Sequence, residues 1–251
     1  MTEGAKQKIA WVTGVNRGMG TKIMQQLIAN NIQVVGFDIS TDNIAIDVKA
    51  DVYQCDVCDP QQISDLCQRL LKSVPPDYFI NGAGVLYLDQ HDALSEGTWL
   101  QTFQVNTFAP FYFMKHLSPY FRQKKSGSIV MISSNAAHVP RMNMAAYGAS
   151  KAALTSFSKT VGLELAEYGV RVNVVSPGST ATPMLSQLWK DASGEKKTIA
   201  GNLSQFKVGI PLQKVANTED IANAVIFLIS DQASHITMHD LVIDGGATLG
   251  Q

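Results

Sequence analysis

The stretch from Ile9 to Asp38 does most to limit what this chain can become. Ile9-Ala10-Trp11-Val12 is a short apolar run that stops at Gly14. Ile23, Met24, Leu27 and Ile28 then recur at helical spacing, and Ile32 to Phe37 is a second β-like run ending at Asp38. Strand, helix, strand requires a parallel pair, because a tight hairpin cannot join parallel strands. The alternation continues. Val52 to Cys55 reads as a strand, Pro60 opens a helix carrying Ile63, Leu66, Cys67 and Leu70 on one face, and Tyr78-Phe79-Ile80 begins another strand. A mixed apolar helix around Trp99 to Phe113 precedes the strand Ser128 to Ile132. A long helical pattern runs from Tyr147 to Tyr168, and Val170 to Val175 is a strand closed by Pro177-Gly178. Asp191 to Gly201 is polar and without pattern, so it reads as a mobile excursion. Thr218 can cap a helix through Ile221, Val225 and Leu228, and Leu241-Val242-Ile243 is the last strand. The expectation is a Rossmann-like α/β fold. It is a doubly wound parallel sheet with helices on both faces, one domain over residues 1–251, with a substrate lid near 183–210.

Composition narrows the partners. Charged residues are 16% of the chain, and 20 Lys and Arg nearly balance 21 Asp and Glu, so no field is expected to gather nucleic acid. Met1 to Lys8 is polar, and no apolar run approaches the ~20 residues of a membrane span, which points to a cytoplasmic protein. Cys55, Cys58 and Cys67 are read as reduced thiols. Cys55 and Cys58 have the spacing of half a zinc site, but there is no second pair, and His235 and His239 lie beside a strand, so no metal is expected.

Two groups of residues carry chemistry. Gly14, Asn16, Arg17, Gly18, Met19 and Gly20 sit where the first strand hands over to the first helix. There glycines allow unusual backbone angles and let a pyrophosphate approach the positive end of the helix. Asp38, ending the second strand, is placed to accept from ribose hydroxyls and to repel a 2′-phosphate, which favours NAD over NADP. Arg17 pulls the other way. Tyr147 and Lys151 are four apart, on one helix face. A phenol of pKa ~10 becomes a base near neutrality only if lowered by about two to three units, and Lys151 together with the cationic nicotinamide of NAD is expected to do this.

The wide glycine spacing, Tyr147-x-x-x-Lys151, and Ser134 thirteen residues before Tyr147 together resemble the short-chain dehydrogenase/reductase family, with matching landmarks from Thr13 to Gly246. The resemblance implies Ser134, Tyr147, Lys151 and Asn106 as the catalytic group, Asn106 linking Lys151 to solvent through water. It implies cofactor contacts at Asp56, Val57, Asn81, Ala83, Gly84, Pro177, Gly178, Thr180 and Thr182, with Tyr147 and Lys151 also touching NAD. Residue 82 departs from the pattern, being Gly where the family often has Asn.

The segment from Ala137 to Arg141 and the run from Gln205 to Leu212 are similar to the branch of that family that oxidises a carboxylated cyclohexadiene diol, a dihydro-2,3-dihydroxybenzoate, to 2,3-dihydroxybenzoate for siderophores. That branch implies substrate contacts from Ser134, Tyr147, His138, Arg141, Met144, Met184 and Trp189. Arg141 is expected to hold the carboxylate, because its guanidinium offers paired donors and stays charged. The family also implies a homotetramer formed through the helices around Asn106 and Tyr147. Two other readings are weighed: an NADP-dependent 3-oxoacyl-carrier reductase, against which Asp38 and Arg141 speak, and a nucleotide-sensing regulator without catalysis, against which the intact Ser134, Tyr147 and Lys151 speak.

Overall fold

Why the opening of the chain folds as a βαβ unit is visible in its burial. In the computed structural model, which describes residues 7–42, 44, 50–189 and 191–250, the first strand β1 (Ile9–Thr13) is buried on both faces. Its odd residues Ile9 and Trp11 pack on one side and Ala10 and Val12 on the other. That explains a run with no polar alternation. The polar start of the chain up to residue 6 and residue 190 of the lid segment lie outside the described residues.

The elements then follow as α1 (Gly18–Ala29), β2 (Gln33–Asp38), β3 (Ala50–Gln54), α2 (Pro60–Ser73) and β4 (Tyr78–Asn81). After them come α3 (Glu96–Phe103), α4 (Ala109–Lys124), β5 (Gly127–Ile132), α5 (Ala145–Ala166) and β6 (Val170–Pro177). The chain closes with α6 (Pro183–Ser186), α7 (Gly194–Ala200), α8 (Thr218–Ile229) and β7 (Asp240–Ile243). The seven strands form one parallel sheet in the order β3-β2-β1-β4-β5-β6-β7. Strand order reverses at β1, between β2 and β4, and in open sheets of this kind the crevice that takes ligands lies beyond the carboxyl ends of the strands at such a point.

Each face of the sheet has its own core. Trp11, Phe37 and Phe79 meet Ile63 of α2, Phe113 of α4 and Leu154 of α5 on one side. Phe113 lies edge-on to Phe37, centroids 5.3 Å apart, and the Trp11 indole donates to the Val74 carbonyl at 2.9 Å, so the largest buried ring leaves no polar group unpaired. Ile23 and Leu27 of α1 meet Ile221 and Val225 of α8 over Val12 and Val130 on the other. The three cysteines are free thiols. Burial and nearby carboxylates push Cys55 up to about 12, so it is inert.

Three local expectations need correction. The cap of α8 is Asn217, extended at φ −85°, ψ 159°, not Thr218, which is already helical; the Asp220 carboxylate accepts from the Asn217 amide at 2.8 Å. The helix expected around Trp99 to Phe113 is interrupted by a wide turn at Gln104–Phe108 with π-type bonding, which carries Asn106 inward. Asp191 to Gly201 is not irregular: α7 forms within it, because the Trp189 ring lies against Gly194 so closely that any added Cβ would clash, and the indole donates to Thr198 at 3.1 Å. No helix among the described residues is long and apolar enough to cross a membrane.

Candidate active site

The carboxyl ends of β1, β2 and β4 bring the predicted nucleotide residues together. Gly14 adopts φ +77°, and a Cβ there would lie 2.8 Å from the Ala83 backbone, so turn and neighbouring strand end touch. Gly14→Ala is expected to cost about 2–4 kcal/mol, from left-handed strain of about 1–2 kcal/mol plus overpacking. A lowered urea midpoint checks this; an unchanged midpoint contradicts it.

The Thr13 hydroxyl is the hub of the crevice. It accepts from the amides of Gly82 and Ala83, both at 3.1 Å, and donates to Asn81 Oδ1 at 3.2 Å. A Cβ at Gly82 would approach the Thr13 carbonyl to 2.8 Å, which gives the departure at residue 82 a steric reason. Asp38 Oδ2 accepts from the Asn16 amide at 2.9 Å, and Arg17 stands exposed at the N-terminus of α1. Asp56 accepts from the Cys58 amide, shaping the turn in which Val57 is buried. Thr182, the cap of α6, reaches across so that Gly18 faces its methyl group at Cβ range, 3.4 Å. Met19 packs at the edge of the α1 core. Pro177 ends β6, the Gly178 amide bonds to Ile243, and Thr180 is buried against Ala216.

This cradle fits a nicotinamide dinucleotide. Asn16 Oδ1 and Asn81 Nδ2 are buried without a partner, a costly state unless a ligand supplies one. Asn16 lies in the turn after β1, and Asn81 ends the adjacent strand β4, paired with Thr13.

Ser134, Tyr147, Lys151 and Asn106 converge from three elements. Lys151, almost wholly buried, donates to the Ile132 carbonyl at 2.9 Å and lies 5.9 Å from the centroid of the Tyr147 ring. Gly84 faces Asn106 and Lys151 together: a Cβ there would lie 3.3 Å from Asn106 Oδ1 and 3.4 Å from Lys151 Nζ. The Asn106 amide braces the site directly. Its Oδ1 accepts from Val85 N at 2.9 Å, and its Nδ2 donates to Val85 O and Ser150 Oγ, each at 3.0 Å. Both amide protons are thus engaged, so that side chain has no donor left for a water relay.

Burial governs the electrostatics of the ligand-free site. Burial raises the Tyr147 phenol above its ordinary value, and the Ser134 hydroxyl beside it only partly reverses this. The buried Lys151 ammonium is itself pushed down to about 8 by loss of solvation. In the ligand-free protein desolvation is thus the largest influence on both groups.

The predicted substrate residues divide. His138, Arg141 and Met144 border a cleft of about 810 Å³ that also touches Asp89 to Asp92; Ser134 and Tyr147 are not in its lining. The cleft therefore backs onto the catalytic loop. The His138 imidazole lies 2.9 Å from Asp240, tying the loop to β7. Met184 is half-buried on α6, and Trp189 packs on α7. Sequence reasoning passed over Asp244, whose carboxylate accepts from Asn135, Thr248 and Gly246 and so fixes the loop next to Ser134. Only its place before Gly245-Gly246 hinted at this.

A glycine turn at the switch point, together with a half-buried tyrosine and a buried lysine and serine beyond β5, defines a nicotinamide-dependent oxidoreductase, and the chain belongs to the short-chain dehydrogenase/reductase family. A family model described as Enoyl-(Acyl carrier protein) reductase matches residues 14–248. The chain is 46% identical to the 2,3-dihydro-2,3-dihydroxybenzoate dehydrogenase of Escherichia coli (strain K12), covering 97% of this chain and 98% of that protein. It is 43% identical to the protein of the same name from Bacillus subtilis (strain 168), over 99% and 98%. Among solved structures, a 4-hydroxyisoleucine dehydrogenase complexed with NADH superposes with a TM-score of 0.89 at 29% identity, over 98% of this chain and 100% of that one.

Proposed function

We propose that this enzyme oxidises 2,3-dihydro-2,3-dihydroxybenzoate to 2,3-dihydroxybenzoate with NAD, in siderophore biosynthesis. The observation that carries the reading is the convergence of Ser134, Tyr147 and Lys151 in a chain similar along its whole length to enzymes named for that reaction. NAD, when bound, supplies the acceptor for the hydride that leaves the alcohol carbon.

The chain's own groups do the rest. Ser134 holds the substrate hydroxyl beside Tyr147; the positive charge of Lys151 and of a bound NAD would favour loss of the phenol proton to solvent, and the phenolate so formed takes the hydroxyl proton. Asn106 keeps Lys151 in place through Val85 and Ser150. The ketone formed at C3 tautomerises to the aromatic catechol, so the reaction runs one way. Gly14, Gly18, Gly20, Asn16, Asn81 and Thr182 hold the dinucleotide, and Asp38 the adenosine ribose. Arg141 takes the carboxylate, and Met144, Met184 and Trp189 form the apolar side of the pocket. The chain works as one domain in the cytoplasm, as a homotetramer. Exposed Phe111 on α4 and Leu163 on α5 support that assembly.

The test compares NAD and NADP on the dihydrodiol acid and on a 3-hydroxyacyl thioester. The expected result is NADH formation with the diol acid; preference for NADPH and the acyl substrate would establish the carrier-linked reductase instead. Asp38→Ser is expected to shift the NAD-to-NADP ratio of kcat/KM at least about a hundredfold toward NADP, since like charges set side by side cost several kcal/mol. An unmoved ratio removes Asp38 from cofactor choice.

A further inference from the structure

Arg141 is not the only cation at its end of the site. After the turn Leu203–Gln205 the chain doubles back, and Asn202 and Lys207 exchange backbone hydrogen bonds at 2.7 and 3.0 Å. The stem is tight: Gly201 sits at φ +82°, where a Cβ would lie 2.4 Å from the Lys207 carbonyl. It is also seated. Ile210 packs with Val215 and Ala247, and the Leu212 amide donates to Gly245 at 3.0 Å. Arg141 reaches the same C-terminal segment, its Nη2 donating to the Ala247 carbonyl at 3.4 Å.

Two loops distant in sequence therefore deliver cations to one place. They are close enough to interact: burial first, and the Arg141 charge second, hold the Lys207 ammonium below its ordinary value. Among the described residues the Lys207 ammonium has no hydrogen bond or ion pair. Among the same residues the one acid acting on Arg141 is Asp244, and its oxygens are already engaged by Asn135 (3.1 Å), Thr248 (2.7 Å) and the Gly246 amide (2.9 Å). Two half-buried like charges repel, and an anion between them converts the repulsion into binding. Asn135 adjoins Ser134 and is bonded to Asp244, so this place borders the catalytic serine.

We propose that Lys207 is a second carboxylate-reading residue, forming with Arg141 a two-cation seat that selects a ring substrate bearing a carboxylate over the neutral diol. The inference rests on the substrate reading above. Arg141 supplies the directional, paired donors, and Lys207 adds a mobile point charge from the lid side. The lid stem thereby contributes to specificity, with Leu203 and Phe206 exposed at its tip.

The test measures binding of 2,3-dihydroxybenzoate and of catechol, which lacks only the carboxylate, to the full-length enzyme in the presence of NAD. Wild type is expected to favour the acid at least about thirtyfold, in keeping with a charge-assisted contact. Lys207→Met is expected to cut that preference about tenfold with catechol affinity moved less than twofold, and Lys207→Arg to restore most of it. NAD affinity and thermal midpoint, measured alongside, show that each variant is folded. A Lys207→Met protein that keeps the wild-type preference overturns the inference alone. A wild-type enzyme that neither oxidises the dihydrodiol acid nor prefers the carboxylated ring overturns the substrate reading and this inference with it.

Discussion

Tyr147→Phe is expected to lower kcat by about three to four orders of magnitude while leaving NAD affinity within about twofold. The substitution removes one oxygen and keeps the ring that packs at the start of α5, so the nucleotide crevice formed by Thr13, Gly14 and Asn81 is untouched. What is lost is the only group among the described residues that is placed beside both Ser134 and Lys151 and can take the alcohol proton. Positioned proton transfer contributes about 10²–10⁴ in rate. A Tyr147→Phe enzyme turning over within tenfold of wild type would show that some other group is the base.

The same site makes a second claim on the phenol. Because burial raises Tyr147 in the ligand-free protein, ultraviolet difference titration should show this residue ionising at higher pH than an ordinary exposed tyrosine. A tyrosinate signal near pH 7 that vanishes in Tyr147→Phe would mean that Lys151 lowers the phenol without the nicotinamide charge expected to act with it.

Much of this is legible in the chain itself. Parallel strands buried on both faces favour unbroken apolar runs, so β1 and β5 announce themselves as Ile9-Ala10-Trp11-Val12 and Ile129-Val130-Met131-Ile132, and their order with the helices sets the doubly wound sheet. The helix carrying Tyr147 and Lys151 is equally plain, because a four-residue spacing fixes a shared face. What stays hidden depends on contacts distant in sequence. Helix α7 has no strong pattern of its own and forms around the Trp189 ring. The π-type turn at Asn106 reflects an amide drawn inward by Val85 and Ser150, partners that no local pattern names. Lys207 is one of 20 basic residues, and nothing beside it in the chain marks it; only the doubling back at Asn202 brings it toward Arg141. The charge balance at Tyr147 escapes a sequence reading for the same reason: spacing reports that a lysine is near, whereas burial decides how much its charge is worth.

Lys151 gives that last point a measurable form. Its ammonium is almost wholly buried and has been pushed from 10.5 to about 8 by loss of solvation alone, a difference worth about 3 kcal/mol against the folded state whenever the group is charged in both states. The sign follows from proton counts. Below pH 8 folded and unfolded chains both hold the proton, and the full cost is present. Between pH 8 and 10.5 the unfolded chain holds a proton that the folded one has released, so stability rises with pH across that window. Lys151→Met removes the charge with little change in length but leaves the Ile132 carbonyl without its 2.9 Å donor, which costs about 1–3 kcal/mol. The net expectation is a variant about 0–2 kcal/mol more stable than wild type at pH 7 and less stable by about pH 10.5, where the solvation cost is gone and only the lost hydrogen bond remains, with turnover reduced by about two to four orders of magnitude. Urea midpoints at pH 7 and pH 10, with initial rates at pH 7, read all three quantities. A variant destabilised equally at both pH values would mean that the buried ammonium carries no solvation cost, and that its hydrogen bond to Ile132 is its main contribution to the fold.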